Sequence, residues 1–187
     1  MIFTLFVVFA VASSALGECP VPPTVPGADI GKIAGRWYEI SGSQLGGSQE
    51  RVTCLTQDFT PREDGDFNFT MLGTQHDGSM NIEQLLAIRT GSQNSIDLND
   101  MAKRLPYQVT LYVADTDYEN YLATYSCIHI PGYSNIIYGW VLSRTNTMSD
   151  EKYAELNDLL VNKVGVPSDV FGPIIQKDCK YWSLSPQ

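Results

Sequence analysis

The chain has 187 residues, a net charge of −9 and a hydrophobic content of 43%. Its length suits one domain with a sizeable core. The acidic balance argues against nucleic acids and anionic membrane surfaces as partners, because both carry negative charge themselves.

The first 17 residues are predicted to be a secretory signal peptide. An apolar run from Ile2 to Ala12 precedes small residues at positions 15 and 17, which suit cleavage by signal peptidase. This run is shorter than the roughly 20 apolar residues of a membrane-spanning helix, and no later stretch of the sequence has that length. We therefore expect one secreted, extracellular domain, 18–187, with no membrane span.

The cysteine content indicates disulfides rather than a metal site. Four cysteines follow the signal peptide, at positions 19, 54, 127 and 179. An even number in a secreted chain is typical of disulfides. There is no Cys-x-x-Cys spacing and there are only two histidines, so we expect no metal site. The sequence alone allows three pairings of the cysteines.

Short β-prone runs dominate the middle of the chain. After a Pro-rich arm, Asp29 can cap a single helical turn over 29–34. Turn-forming residues such as Asp64-Gly65 and Asp77-Gly78 then separate the runs, a pattern typical of a sandwich or a barrel. The predicted strands span about 36–43, 51–60, 66–74, 79–89, 94–99, 107–115, 119–129 and 136–145.

The hydrophobic period changes over 150–164, where apolar residues recur at three- and four-residue spacing. Ser149 precedes this segment as an N-cap, and Gly165 and Pro167 follow it as stop signals. The pattern predicts one amphipathic α-helix that packs by its apolar face. A short extended segment is predicted in the tail, 173–187.

Three motifs give the sequence a family resemblance. Gly35-Arg36-Trp37-Tyr38, Thr116-Asp117-Tyr118 and Arg144 occur in the order and at the spacing of the lipocalin signature. The block 116–144 resembles the apolipoprotein D branch, which includes carotenoid-binding crustacyanins and insect bilin-binding proteins. The resemblance covers about 19–180. It implies an all-β fold, an eight-stranded antiparallel up-and-down barrel, the lipocalin calyx, with one C-terminal α-helix packed outside.

The resemblance also assigns structural roles. Arg144 is expected to lie over the indole of Trp37 at the closed end of the barrel. The cysteines are expected to pair as Cys19–Cys127 and Cys54–Cys179. The residues of the structural motif are Gly35, Trp37, Thr116, Asp117, Tyr118 and Arg144.

Side-chain alternation along the predicted strands is consistent with those pairings. It turns Cys54 and Cys127 outward when their apolar neighbours face inward. It also turns Asn68 outward, and Asn68 begins the sequon Asn-Phe-Thr, so we predict a glycan there.

By the same resemblance, the protein is a carrier that binds a small hydrophobic ligand in its calyx: a carotenoid, a bilin, or a sterol-like or fatty-acyl molecule. No cofactor is required, but a carotenoid or bilin chromophore is an expected ligand. Met71 makes the pocket more apolar and counts against a bilin. The predicted ligand contacts are Phe59, Met71, Tyr112, Tyr138 and Trp140, within an inward stripe that also contains Phe67, Phe69, Met80 and Ile82.

Two positions in the predicted pocket have alternative interpretations. Alternation along 107–115 turns Tyr112 outward, whereas the family pocket turns it inward. Glu39 is in phase with Trp37 and so faces inward. A buried carboxylate needs a partner or a raised pKa, so Glu39 either binds the ligand's polar group or bonds a tyrosine or water at the barrel base.

The sequence disfavours an enzyme. It has no Gly-x-Ser-x-Gly motif, and its cysteines are expected in disulfides. His76 lies in a predicted hairpin turn and His129 on the predicted rim, where a rim enzyme would use it. The alternative function is an extracellular interaction module with a filled barrel, whose rim loops bind a protein partner. Coloured members of the resembled branch often pair, so a homo- or heterodimer is left open.

Overall fold

The computed structural model describes residues 19–20, 25–43, 52–100, 109–128 and 135–184. A 3₁₀ turn, Ile30–Ile33, precedes the strands, and Asp29 caps it by accepting from the amide of Gly31. The strands are β1 (Gly35–Ser43), β2 (Thr53–Pro61), β3 (Phe67–Thr74), β4 (Met80–Arg89), β5 (Ser95–Asp100), β6 (Val109–Thr116), β7 (Tyr121–Ile128), β8 (Ile136–Ser143) and β9 (Phe171–Pro173). Helix α1 (Asp150–Asp158) continues into a π-helical segment, Leu159–Val164.

The first eight strands form a closed antiparallel barrel. Each strand from β2 to β7 pairs with the next, β8 pairs with β1, and β1 pairs with β2 to complete the ring. The short strand β9 pairs with β1 beside the barrel. Closure leaves no exposed sheet edge in the ring, and eight strands enclose room for one small ligand. The predicted barrel with one helix is confirmed.

Two apolar clusters lie on the two sides of the barrel wall. The inner cluster contains Trp37, Phe59 and Leu122, all inaccessible to solvent. The outer cluster is covered by the helical segment, whose Leu156 and Leu160 are also inaccessible. Ser149 caps α1, and Gly165 ends the π-helical segment with a φ of 89°. The predicted helix boundaries are therefore confirmed.

The predicted facing of β4 is wrong. The hairpin after β3 pairs Thr74 with Met80 and Leu72 with Ile82, whereas Met71 pairs with Glu83. Residues directly opposite each other point to the same side of a sheet. Because Met71 contacts the inner cluster, Glu83 faces inward. Met80 and Ile82 face outward and are 37% and 42% exposed.

The closed end of the barrel is sealed by Arg144. Its guanidinium carbon lies 3.5 Å from the centroid of the Trp37 ring, while the indole Nε1 donates to the carbonyl of Ile33 at 2.8 Å. The guanidinium also donates to four backbone carbonyl oxygens, those of Lys32, Ala34, Arg36 and Tyr118. One cation thus holds together the 3₁₀ turn, the start of β1 and the β6–β7 turn.

The other motif residues shape the segments that Arg144 holds. Gly35 has a φ of 95°, and a Cβ there would lie 3.3 Å from Nη1 of Arg144, so the position favours glycine. Thr116 Oγ1 accepts from the amide of Tyr118 and donates to the carbonyl of Tyr121. Partial burial opposes ionisation of Asp117, but hydrogen bonds from the 119–121 backbone and Asn120 lower its pKa.

The two disulfides have the pairing that the family resemblance implied. Cys19 is bonded to Cys127 across a sequence separation of 108 residues, and Cys54 to Cys179 across 125. Each bond ties a terminal segment to the outside of the barrel wall. The signal-peptide segment, 1–17, lies outside the described residues. Within the described ranges, no helix is long and apolar enough to cross a membrane.

Loss of the Arg144 contacts should destabilise the barrel. Arg144→Ala removes the cation over Trp37 and leaves four backbone carbonyl oxygens without their charged hydrogen-bond donor. This loss should lower the free energy of unfolding by about 3 kcal/mol. Urea denaturation monitored by tryptophan fluorescence measures this change. Arg62→Ala removes an exposed arginine that pairs with Asp64, so its unfolding midpoint should equal that of the wild type. Equal midpoints for both variants would contradict the role of Arg144.

Each disulfide should stabilise the fold by constraining the unfolded chain. Replacing Cys54 and Cys179 together by Ala should cost about 4 to 5 kcal/mol, because the bond closes a very long loop in the chain-entropy model. The Cys19→Ala/Cys127→Ala pair should cost a similar amount. Urea titrations of both double variants give the two values. A cost below about 1 kcal/mol for either would show that the bond does not act on the unfolded chain.

Candidate ligand-binding site

The barrel interior changes from closed to open along β8. Leu142, near the Arg144 seal, is inaccessible to solvent, whereas Trp140 and Tyr138 are half-buried and Ile136 is 37% exposed. These four residues alternate along one strand and face inward. Among the described residues, the exposure of the inner face therefore increases toward the end at which β8 begins.

Residues 44–51, 101–108 and 129–134 lie outside the described ranges. His129, predicted on the rim, is in the last of them and lies outside the described residues. His76 is exposed in the hairpin between β3 and β4, as expected.

A buried carboxylate lies just above the closed end. Glu39 is 1% exposed, and its Oε2 accepts a hydrogen bond of 2.9 Å from Nε2 of Gln57. Burial raises the pKa of Glu39 to about 7, and the hydrogen bond from Gln57 opposes this shift only in part. Among the described residues, the partner is thus an amide from β2 and not a tyrosine.

Gly42 makes room for this carboxylate. A Cβ at Gly42 would overlap Oε1 of Glu39 and would lie 3.1 Å from Cδ1 of Trp140. Gly42 pairs with Trp140 across β1 and β8, because a β-bulge between Glu39 and Ser41 shifts the alternation of β1 by one residue. Glu39 Oε1 therefore projects between β1 and the indole of Trp140.

Two buried hydroxyls face the interior from β7. Thr124 and Ser126 lie on the same face of β7 as Leu122 of the inner cluster, and they are 1% and 0% exposed. Neither hydroxyl has a hydrogen-bond partner among the described residues. Thr124 pairs with Trp140 and Ser126 with Tyr138, so both hydroxyls border the half-buried aromatic residues. A buried polar group without a partner is costly, which calls for an explanation.

Apolar side chains form the rest of the open half. Met71 and Trp140 are partly buried and pack against the inner cluster, as does Val109. The rings of Tyr138 and Trp140 are 6.3 Å apart at a tilt of 31°. The combination of an apolar wall with a few convergent polar groups is typical of small-molecule sites.

Phe59 belongs to the closed half of the barrel, not to its mouth. It pairs with Gly35 at the start of β1 and is inaccessible to solvent. Its ring packs against Phe67 and Phe69, with centroids 6.2 and 4.9 Å away. Its neighbours on every side are core residues, so it fills the base of the barrel.

Tyr112 lies on the outside of the barrel, and the position taken from the family pocket is wrong. Its ring stacks on that of Tyr125 with centroids 5.2 Å apart, in the cluster beneath the helix. Leu111 and Val113 face inward instead. The alternation of β6 thus decides its facing.

The structure brings together Glu39, Met71, Tyr138 and Trp140 of the predicted contacts. It adds three polar residues that the sequence analysis did not assign to a site: Gln57, Thr124 and Ser126. Alternation predicts their inward facing, but no sequence pattern shows that Gln57 bonds Glu39 or that Thr124 and Ser126 lie opposite Trp140 and Tyr138. Within the described segments, no group of three or more His, Cys, Asp or Glu residues could hold a metal ion.

Comparisons with known proteins agree with this geometry. A model of the Lipocalin / cytosolic fatty-acid binding protein family matches residues 34–178. Apolipoprotein D of Oryctolagus cuniculus is 30% identical over 145 residues, which cover 78% of this chain and 76% of that protein. Insecticyanin-B of Manduca sexta is 23% identical over 84% of this chain and 81% of that protein.

Solved structures show the same fold. Lobster apocrustacyanin A1 matches with a TM-score of 0.63 and 18% identity, over 79% of each chain. Insecticyanin from Manduca sexta matches with a TM-score of 0.64 and 18% identity, over 85% of this chain and 86% of that one. At these identities the likeness carries the barrel architecture and no detail of the site.

Ionisation of Glu39 should couple stability to pH. Its pKa rises from 4.5 to about 7 on folding, so the folded protein holds a proton that the unfolded chain loses first as pH increases. Stability should therefore fall as pH rises through this window, by about 3 kcal/mol in total. The facing side chains, Gln57 from β2 and Trp140 and Leu142 from β8, do not titrate in this range.

Urea denaturation of the wild type and Glu39→Gln at about pH 5 and pH 8 isolates this contribution. The variant lacks the titrating group, so its stability relative to the wild type should increase between the two pH values. Glu119→Gln, at an exposed position, is the matched control and should follow the wild-type profile. Parallel profiles for the wild type and Glu39→Gln would show that burial of Glu39 does not raise its pKa.

Proposed function

The chain belongs to the lipocalin family, and on that premise we propose that it is a secreted carrier that binds one small hydrophobic ligand in the barrel interior. The observation that carries the proposal is the graded burial along β8, from inaccessible Leu142 to exposed Ile136. In a barrel filled to its mouth, Tyr138 and Trp140, which lie within β8 rather than at its end, would be buried like Leu142. The gradient therefore favours a carrier over an interaction module with a filled barrel.

The energetic basis of binding is burial of apolar surface. Met71, Tyr138 and Trp140 present half-buried side chains to the interior. Covering apolar surface contributes roughly 25 cal/mol per Å² before ordering costs are subtracted. A carotenoid, bilin, sterol-like or fatty-acyl molecule offers such surface, and a bound carotenoid or bilin would act as a chromophore.

Secretion is supported by the disulfides. Both bonds require an oxidising compartment to form and persist, and all four cysteines are bonded. Asn68 is exposed on the outer face of β3, where its Oδ1 accepts from Arg62 at 3.0 Å. Its side chain is accessible for the proposed glycan. A homo- or heterodimer remains compatible with the proposal.

We propose no catalytic activity. The family premise favours binding, and no cysteine is left as a thiol nucleophile, since the disulfides use all four. A rim enzyme would depend on His129. Any turnover found for the protein should then be lost in His129→Ala, and retention of that turnover would exclude the residue.

Ligand titration tests the carrier function. Retinol, biliverdin, a carotenoid, a sterol and a fatty acid are added to the purified protein while tryptophan fluorescence and visible absorbance are recorded. At least one should quench fluorescence saturably in the micromolar range. Failure of all five would reject the carrier.

Two matched variants locate the site. Met71→Arg places a charge on the inner wall of β3, so it should weaken binding at least tenfold, about 1.4 kcal/mol. Met80→Arg places the same charge on the outer face of the neighbouring strand β4 and should bind like the wild type. Equal effects of the two variants would show that the ligand binds outside the barrel.

A further inference from the structure

We infer that Glu39, Gln57, Thr124 and Ser126 form a polar subsite inside the barrel that receives a neutral oxygen group, a hydroxyl or a ketone, at one end of the ligand. The ligand class is then an apolar alcohol or ketone that enters with this end first. The inference rests on the proposed carrier function and makes it more specific. It separates such ligands from fatty acids and other carboxylates of the same shape.

The first support is the position of the second oxygen of the Glu39 carboxyl. Oε2 is engaged by Gln57, whereas Oε1 projects over Gly42 toward the indole of Trp140. Trp140 is half-buried and reaches the open part of the interior. A ligand stacked on this indole would bring its end group to the carboxyl.

The second support is the position of the unpartnered hydroxyls. Four buried hydroxyls lack a partner among the described residues: Ser41, Thr56, Thr124 and Ser126. Two of them face outward, because Ser41 pairs with Val141 of the outer cluster and Thr56 with Leu72 and Tyr38 on the outer face. The other two face the interior beside Trp140 and Tyr138. An oxygen group of the ligand would satisfy them.

The charge of the subsite selects a neutral group. A protonated Glu39 donates to a ketone or hydroxyl, and an ionised Glu39 accepts from a hydroxyl. A ligand carboxylate would instead place a second anionic group beside a buried carboxyl. The two arginines that contact inner aromatic rings, Arg144 over Trp37 and Arg89 over Phe67, lie at the closed end. Neither is among the residues that line the subsite.

Retinol and retinoic acid form a matched pair of probes, because they share the ring and polyene and differ in the end group. At about pH 8, where retinoic acid is ionised, retinol should bind at least tenfold more tightly. Glu39→Gln keeps hydrogen-bonding atoms but removes the charge, so the ratio of the two dissociation constants should fall about tenfold, toward one. Retinol affinity itself should change less than about threefold.

Glu83→Gln is the control for a general effect of negative charge, because Glu83 also faces inward, from β4. It should keep the wild-type ratio. A wild-type ratio near one, or an equal fall of the ratio in both variants, would overturn the subsite. If the subsite is overturned in either way but at least one retinoid still binds, the proposed carrier function is retained. If neither retinoid and no other apolar probe binds, carrier and subsite both fail.

The hydroxyls provide an independent test. Thr124→Val and Ser126→Ala remove the inner pair, and Thr56→Val and Ser41→Ala remove the outer pair. All four should raise the melting temperature, because each removes a buried hydroxyl without a partner. Only the inner pair should weaken retinol binding, by about three- to tenfold. Equal retinol affinity across the four variants, all folded by circular dichroism, would exclude the hydroxyls from the subsite.

Discussion

The guanidinium of Arg144 is the contact on which the shape of this barrel depends. Four carbonyl oxygens from three separate segments accept hydrogen bonds from the guanidinium, and the plane of the guanidinium covers the Trp37 ring. The 3₁₀ turn, the start of β1 and the β6–β7 turn each present backbone acceptors that would otherwise need water. Because one cation satisfies them together, the barrel is sealed at that end, and the described inward residues of β8 become more exposed toward the other end.

This seal divides the interior into two halves. Phe59, Phe67 and Leu142 fill the half next to Trp37 and are excluded from solvent. Beyond them the side chains become half-buried and the wall acquires polar groups. Glu39 stands at the boundary, where burial is complete enough to raise its pKa to about 7, yet its carboxyl borders the half-buried indole of Trp140. A polar group such as the Glu39 carboxyl, placed at the inner end of an apolar pocket, can orient a ligand as well as bind it.

The residues on the outer face show that the side of the barrel wall to which a side chain points matters as much as its residue type. Tyr112 has the size and polarity of a pocket residue, but it stacks on Tyr125 beneath the helical segment. Met80 and Ile82 have the composition of an inner stripe, but the hairpin register turns them to solvent. A shift of one residue in register moves a whole strand's side chains to the other face. The inward facing predicted for Met80 and Ile82 is an error of this kind, whereas that of Tyr112 comes from the family pocket and opposes the alternation of its own strand.

The sequence by itself determined the strands, the helix and, through the family resemblance, the barrel class and both disulfides. These features depend on local turn residues, on hydrophobic periods and on motifs, all of which can be recognised in the sequence without the structure. It also determined that Glu39 faces inward. Only the tertiary structure decided that Gln57 from β2 is its partner, that Gly42 makes room for it, and that Thr124 and Ser126 border the same aromatic residues. Those relations depend on the register and the bulges between strands that are far apart in the chain. The pairing energies that set the register arise from contacts between those strands, so a local sequence pattern does not report them.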